Sequence, residues 1–266
     1  MRELPAALHP TDRLLIGFWC LLSVISLALR SRIPMWPVLV LANLAAGTLL
    51  CALAWAAHSR NSRTLRWAHD WAAFPLLVFT YKELYFINGP VHLHRDYDVL
   101  LIAMDLWLFG IHPTHWLARF ANPWLTEALQ VVYSLFYILF LAAGFELYRK
   151  GDLPRFRYFR FTVVYGFLIC YAGYVLLPAV GPRFTLHDFT RIETELPGVL
   201  ATYPLRWFIN ICESIPVGAS GAAALARAQR DVFPSGHAMM TLVTVVLAYR
   251  YKLKTRGWIF VLGMLL

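Results

Sequence analysis

Charge is what this sequence has least of. Only 15% of its 266 residues are Asp, Glu, Lys or Arg, where a soluble domain carries about a quarter. That scarcity excludes an ordinary water-soluble globule. Cysteine is nearly as sparse: Cys20, Cys51, Cys170 and Cys212 lie far apart, three of them inside apolar runs. Such spacing excludes both a disulfide framework and a zinc-ligand cluster. Internal repeats, low-complexity tracts and flexible linkers are missing too. The reading is one membrane domain over 1–266, with N-terminal spans in 1–94 and a core in 95–266.

Apolar residues are abundant, at 59%. A run of roughly twenty of them crosses a bilayer as a helix. Such runs lie near 12–29, 37–57, 67–88, 125–147, 158–178 and 234–250, and another starts at 257. They predict an all-α polytopic bundle of about six spans plus the beginning of a seventh. The last run has only ten residues, about 15 Å of helix against a hydrocarbon core of about 30 Å. The expectation is a chain truncated at its C-terminus.

The net charge is +9, and its distribution excludes nucleic acid as the partner. With the N-terminus in the cytoplasm and spans alternating, the inner segments hold fourteen of the 24 basic residues and five acids. The outer segments hold nine basic residues and eight acids. Basicity on one face is what the positive-inside rule expects. Two outer segments are long, 89–124 and 179–233. In the first, "RDYDVLLIAMDLWLFGIHPTHWLARF" interrupts its apolar residues with Asp98, Asp105 and His112, which predicts a helix lying in the interface.

Chemistry concentrates in two places on that outer face. In "DVFPSGHAMM", Ser235 sits where a helix begins and is a good N-cap. Gly236 lets a ligand approach the backbone, and the helix start attracts anions. His237 falls in the first turn beside any such anion, where an imidazole can protonate a leaving oxygen. In "GPRF" at 181–184, Arg183 offers a planar fork suited to phosphate oxygens. The predicted phosphate site is therefore Arg183, Ser235 and Gly236, with His237 as acid.

"PSGH" at the head of an apolar helix, after a long loop from an arginine, resembles the second signature of the type 2 phosphatidic acid phosphatase superfamily. That family's first signature is a lysine, six residues, then Arg-Pro. Here Leu176 stands seven before Arg183, and the proline precedes the arginine as Pro182. This departure, with "DLWLFGIHPTHWL" at 105–117, resembles the inositol phosphorylceramide synthase branch. The resemblance spans about 95–250. It implies a membrane enzyme acting on lipid phosphate esters at the non-cytoplasmic face through a phosphohistidine. Arg183, Ser235 and Gly236 would bind the phosphate, and His237 would be the general acid. No metal or cofactor is implied, and the partners are a phospholipid or sphingolipid substrate and the bilayer. The branch tilts the reading toward transfer of a phosphoinositol-type headgroup. A plain lipid phosphate phosphatase and a non-catalytic anionic-lipid binding or transport protein are the alternatives. The family's nucleophile is a second histidine, oriented by an aspartate, some tens of residues further on. Neither residue type occurs among the 29 residues after His237, so the nucleophile is expected outside this stretch.

Other polar residues carry weaker readings. Lys82 and Glu83 fall inside a predicted span, where charges are costly; they are either a snorkelling pair or contacts to a lipid headgroup. His187 and Asp188 follow "GPRF" and are candidates to line the site. His112 and His115, and His92 and His94, read as interfacial histidines rather than metal ligands.

Overall fold

A computed structural model describes residues 7–93, 95–216 and 218–266. His94 lies outside them. Every regular element among the described residues is helical, as the apolar runs predict, because a helix satisfies its own backbone polar groups without water.

The chain packs as two compact units. The first comprises 1–94 and 144–175, the second 95–143 and 176–266. In the first unit, α1 (Pro10–Ala28) and α2 (Trp36–Ser59) are long and apolar enough to cross a membrane. The same holds for α9 (Leu153–Leu176). Between them come α3 (Arg63–Trp71) and α4 (Ala73–Val91). The run predicted at 67–88 as one span is therefore two helices that meet at Ala72. The reason lies in the polar end of α3. His69 Nε2 meets Asp12 Oδ2 at 2.8 Å. The Asp70 carbonyl accepts from Arg160 Nη1 at 2.9 Å. These groups are buried, and an apolar span offers them no such partners.

Helix α4 is the hub of this unit. Trp19 Nε1 donates to Thr80 Oγ1 (2.9 Å), Asn43 Nδ2 to Glu83 Oε1 (2.6 Å), and the Tyr171 hydroxyl to the Leu77 carbonyl (3.0 Å). Glu83 thus turns inward to Asn43, while Lys82 lies 5.8 Å from the centre of the Tyr81 ring. Together with Asn88, these residues make α4 too polar to pass as a span on composition.

At the other end of the unit, His9 joins the buried charges. Its ring stacks on His69 with centroids 4.6 Å apart, and its Nδ1 accepts from Arg160 Nη2 at 2.9 Å. His9, Asp12 and His69 form the one group among the described residues whose ligand atoms come close enough to hold a metal ion, within 4.8 Å of one another. Arg160 occupies His9 Nδ1, and its positive charge closes the cluster as a hydrogen-bonded ion network instead. Burial, then the charges of Arg160, Arg157 and His69, push the His9 pKa down to about 4, against the opposing pull of Asp12. An unfolded histidine titrates near 6.5. The folded state holds the neutral ring, so its contribution is complete above pH 6.5 and is lost as pH falls through about 4. Thermal melting in detergent is expected to show a lower Tm at pH 5 than at pH 7.5. A His9→Gln variant is expected to lose most of that dependence; an unchanged pH dependence would show that His9 is not its source.

The second unit opens with α5 (Asp98–Phe109), which ends at Gly110 in the left-handed conformation, φ 68°. Only Asp98 is buried on α5, and Trp107 is 83% exposed. An apolar helix so bare needs lipid to cover it, which agrees with its predicted place in the interface. Next come α6 (Pro113–Ala118) and α7 (Pro123–Ser134), the latter capped by Asn122. The run predicted at 125–147 bends by 45° between α7 and α8 (Phe136–Arg149). After α9 come the short α10 (Pro182–Thr185), a 3-10 turn at Phe189–Arg191, and α11 (Ile192–Glu195). The unit ends with α12 (Thr202–Cys212), α13 (Gly221–Arg227), α14 (Gly236–Arg250) and α15 (Arg256–Leu265). At 15 residues, α14 is about 22 Å long, shorter than the predicted span.

Glu127 on α7 fastens the start of α12. Its carboxylate accepts from the backbone N–H of Val199 (2.9 Å), Leu200 (3.1 Å), Ala201 and Thr202 (3.1 Å), and from the Thr202 hydroxyl (2.7 Å). An anion at a helix start meets unpaired N–H groups there. Glu127→Ala is expected to speed hydrogen exchange at the amides of 199–202 while leaving α14 protected; unchanged exchange at those amides would remove Glu127 from this role.

Candidate phosphate site

Ser235 begins α14, as its place in the sequence predicts. Its Oγ accepts from the Ala238 N–H at 3.2 Å. A hydroxyl that accepts in this way keeps its own O–H to donate. Ser235 is exposed, Gly236 is buried and His237 is half-buried. The first N–H groups of a helix have no partner within it, so those of Gly236 and His237 make this end suitable for an anion.

The bend between α7 and α8 receives His237. The imidazole stacks on Tyr133, with centroids 4.4 Å apart and planes 18° apart, and it lies against Phe136 at 4.3 Å. The two rings hold the plane of the imidazole from two sides.

Arg183 lies in α10, immediately after a tight approach between the two motif loops. Gly181 has φ +89°, and a Cβ there would stand 2.8 Å from Val232 Cγ2. Glycine is therefore required twice, for its left-handed backbone and for the space. This contact brings "GPRF" against the segment that leads into "PSGH". Arg183 pairs through Nη2 with Glu213 Oε2, and its guanidinium lies over the Phe184 ring at 4.8 Å.

Sequence reasoning missed Glu213, Tyr133 and Phe136. Nothing in spacing marks them, since each acts through a contact made only on folding. Of the remaining candidates, Asp188 is spent locally. Its carboxylate accepts from the Thr190 N–H (2.9 Å) and hydroxyl (2.6 Å), which holds its pKa below the usual carboxylate value. His187 meets the His115 ring edge-on at 4.9 Å and lies 3.8 Å from Glu195. His112 also meets His115 edge-on, at 5.3 Å. His115 Nε2 donates to the Leu186 carbonyl at 3.0 Å, so these histidines brace the loop after Arg183. Lys82 belongs to the first unit.

Apolar helices long enough to cross a membrane mark an integral membrane protein. The family is then direct: a family model of the PAP2 superfamily matches residues 99–266, more than half of the chain, and the protein belongs to that superfamily. No curated protein and no solved structure matches the sequence. Membership brings lipid phosphate chemistry of the phosphatase or phosphotransferase type.

Proposed function

We propose that this protein transfers a phosphorylated headgroup between lipids at the non-cytoplasmic face of its membrane, with the N-terminus cytoplasmic. The observation that carries the reading is the contact of Gly181 with Val232, which sets Arg183 and the start of α14 in one unit. Arg183, the Ser235 hydroxyl and the Gly236 amide hold the phosphate. A histidine nucleophile attacks phosphorus, and the bond to the leaving alcohol breaks. His237 gives its proton to the departing oxygen. The phosphohistidine then passes its phosphoryl group to a hydroxyl acceptor, whose proton returns to His237. Water as acceptor gives a phosphatase, and a ceramide-like or diacylglycerol-like hydroxyl gives a transferase. The order Pro182–Arg183 and the "DLWLFGIHPTHWL" stretch, similar to the inositol phosphorylceramide synthase branch, favour phosphoinositol-type transfer. Of the other sequence candidates, His187, four residues after Arg183 in the same unit, is kept as a headgroup contact in this reading.

The test is a detergent assay of the protein using labelled phosphatidylinositol, ceramide and diacylglycerol. Labelled phosphoinositol on the acceptor supports transfer, whereas free phosphate or inositol phosphate alone makes the protein a hydrolase. Lipid binding without turnover replaces the enzyme with a non-catalytic anionic-lipid protein.

A further inference from the structure

We infer that Asp98, assisted by Asp96, is a positioning residue that sets the distance between Arg183 and the start of α14. This inference rests on the phosphate-site reading above. The four residues Arg95–Asp98, "RDYD", reach both motif loops. Asp98 is buried at 6% exposure, and its two oxygens separate their tasks. Oδ1 accepts from the Gly181 N–H at 2.7 Å and Oδ2 from the Val180 N–H at 3.0 Å. The adjacent Tyr97 N–H donates to the Pro178 carbonyl at 2.8 Å. The loop carrying Arg183 is therefore gripped from 178 to 181, two residues short of the arginine.

Asp96 grips the other loop. Its carboxylate takes Arg230 in a two-pronged pair, Nε at 3.1 Å and Nη2 at 3.4 Å. Arg230 also donates through Nη1 to the carbonyls of Ala228 (2.6 Å) and Leu225 (3.3 Å). This fixes the backbone five residues before Ser235. Val232 against Gly181 closes the third side. One short segment, distant in sequence from both loops, thus holds each of them by a carboxylate. Neither carboxylate is placed on substrate. Their action passes through Arg183 and the amides of α14.

A misplacement of about 1 Å in such a site costs on the order of a hundredfold in rate. Asn at 98 keeps one acceptor but turns an NH2 toward a backbone N–H. Asp98→Asn is therefore expected to lower kcat/KM by about ten- to a hundredfold. Asp96→Asn is expected to cost less, because Arg230 keeps its two carbonyl partners.

The experiment joins hydrogen exchange with a double-mutant cycle on the full-length protein. In Asp98→Asn, amides of 178–186 are expected to exchange faster while α1, α2 and α9 stay protected. Arg183→Lys is expected to be severe alone but to add less than about threefold on top of Asp98→Asn, since coupled residues are not additive. Unchanged exchange at 178–186, loosening throughout the chain, or full additivity with Arg183→Lys would each overturn the inference. A wild type inert toward every lipid phosphate would instead refute the proposed activity. The exchange data then decide by themselves whether Asp98 holds the loop.

Discussion

His237→Ala is expected to lower turnover of a lipid phosphate by about a hundredfold or more, the range that general acid catalysis contributes. The leaving group sets the size of the effect. An alkoxide departing from phosphorus needs a proton in the transition state, and His237 is the titratable group in the first turn of α14, the helix proposed to hold the anion. The dependence should disappear for a substrate whose leaving group needs no help. With a nitrophenyl phosphate ester, the loss in His237→Ala is expected to shrink to less than about tenfold. Equal losses on both substrates would mean that the variant damages the phosphate pocket and that His237 is not the acid. Tyr133→Leu supplies the companion test. It keeps an apolar wall but removes the stacked ring at 4.4 Å, so it is expected to lower kcat with little change in KM.

Arg183 gives the second large effect, with a partner of opposite sign. Arg183 is paired with Glu213, and this pair is partly sheltered, with side chains 31% and 15% exposed. A phosphate must displace that carboxylate or share the guanidinium with it. Arg183→Gln is expected to lower kcat/KM by about a hundredfold, since it removes a charge-assisted, two-pronged grip on the phosphate. Lysine should recover only part of the loss, because a point charge does not reproduce the planar fork. Glu213→Gln removes the competitor, so inhibition by inorganic phosphate or vanadate should tighten by about three- to tenfold. Weaker inhibition in Glu213→Gln would reverse the assignment, making Glu213 the residue that aims Arg183 rather than the one that competes for it.

Much of the fold was legible because the bilayer imposes it. Runs of apolar residues longer than about eighteen have few alternatives to a helix, and the boundaries at Pro10–Ala28, Trp36–Ser59 and Leu153–Leu176 follow the runs within a few residues. The run at 67–88 is divided at Ala72 for a tertiary reason. Its first residues include His69 and Asp70, whose buried partners are Asp12 and Arg160. Those partners lie tens of residues away, so a hydropathy window cannot see them. The single run at 125–147 concealed a bend in the same way.

The sequence alone determined the class of molecule, the helical state of its apolar runs, and the helix start at Ser235. Each follows from short-range chemistry: self-satisfied backbone hydrogen bonds in lipid, and a hydroxyl that caps its own helix. Tertiary structure alone decided which groups meet at the phosphate site. Glu213 reaches Arg183 across 30 residues, and Asp98 reaches Gly181 across 83. Tyr133 and Phe136 meet His237 across about a hundred residues of sequence. Such pairings depend on how the helices pack, and no local period in the sequence records that.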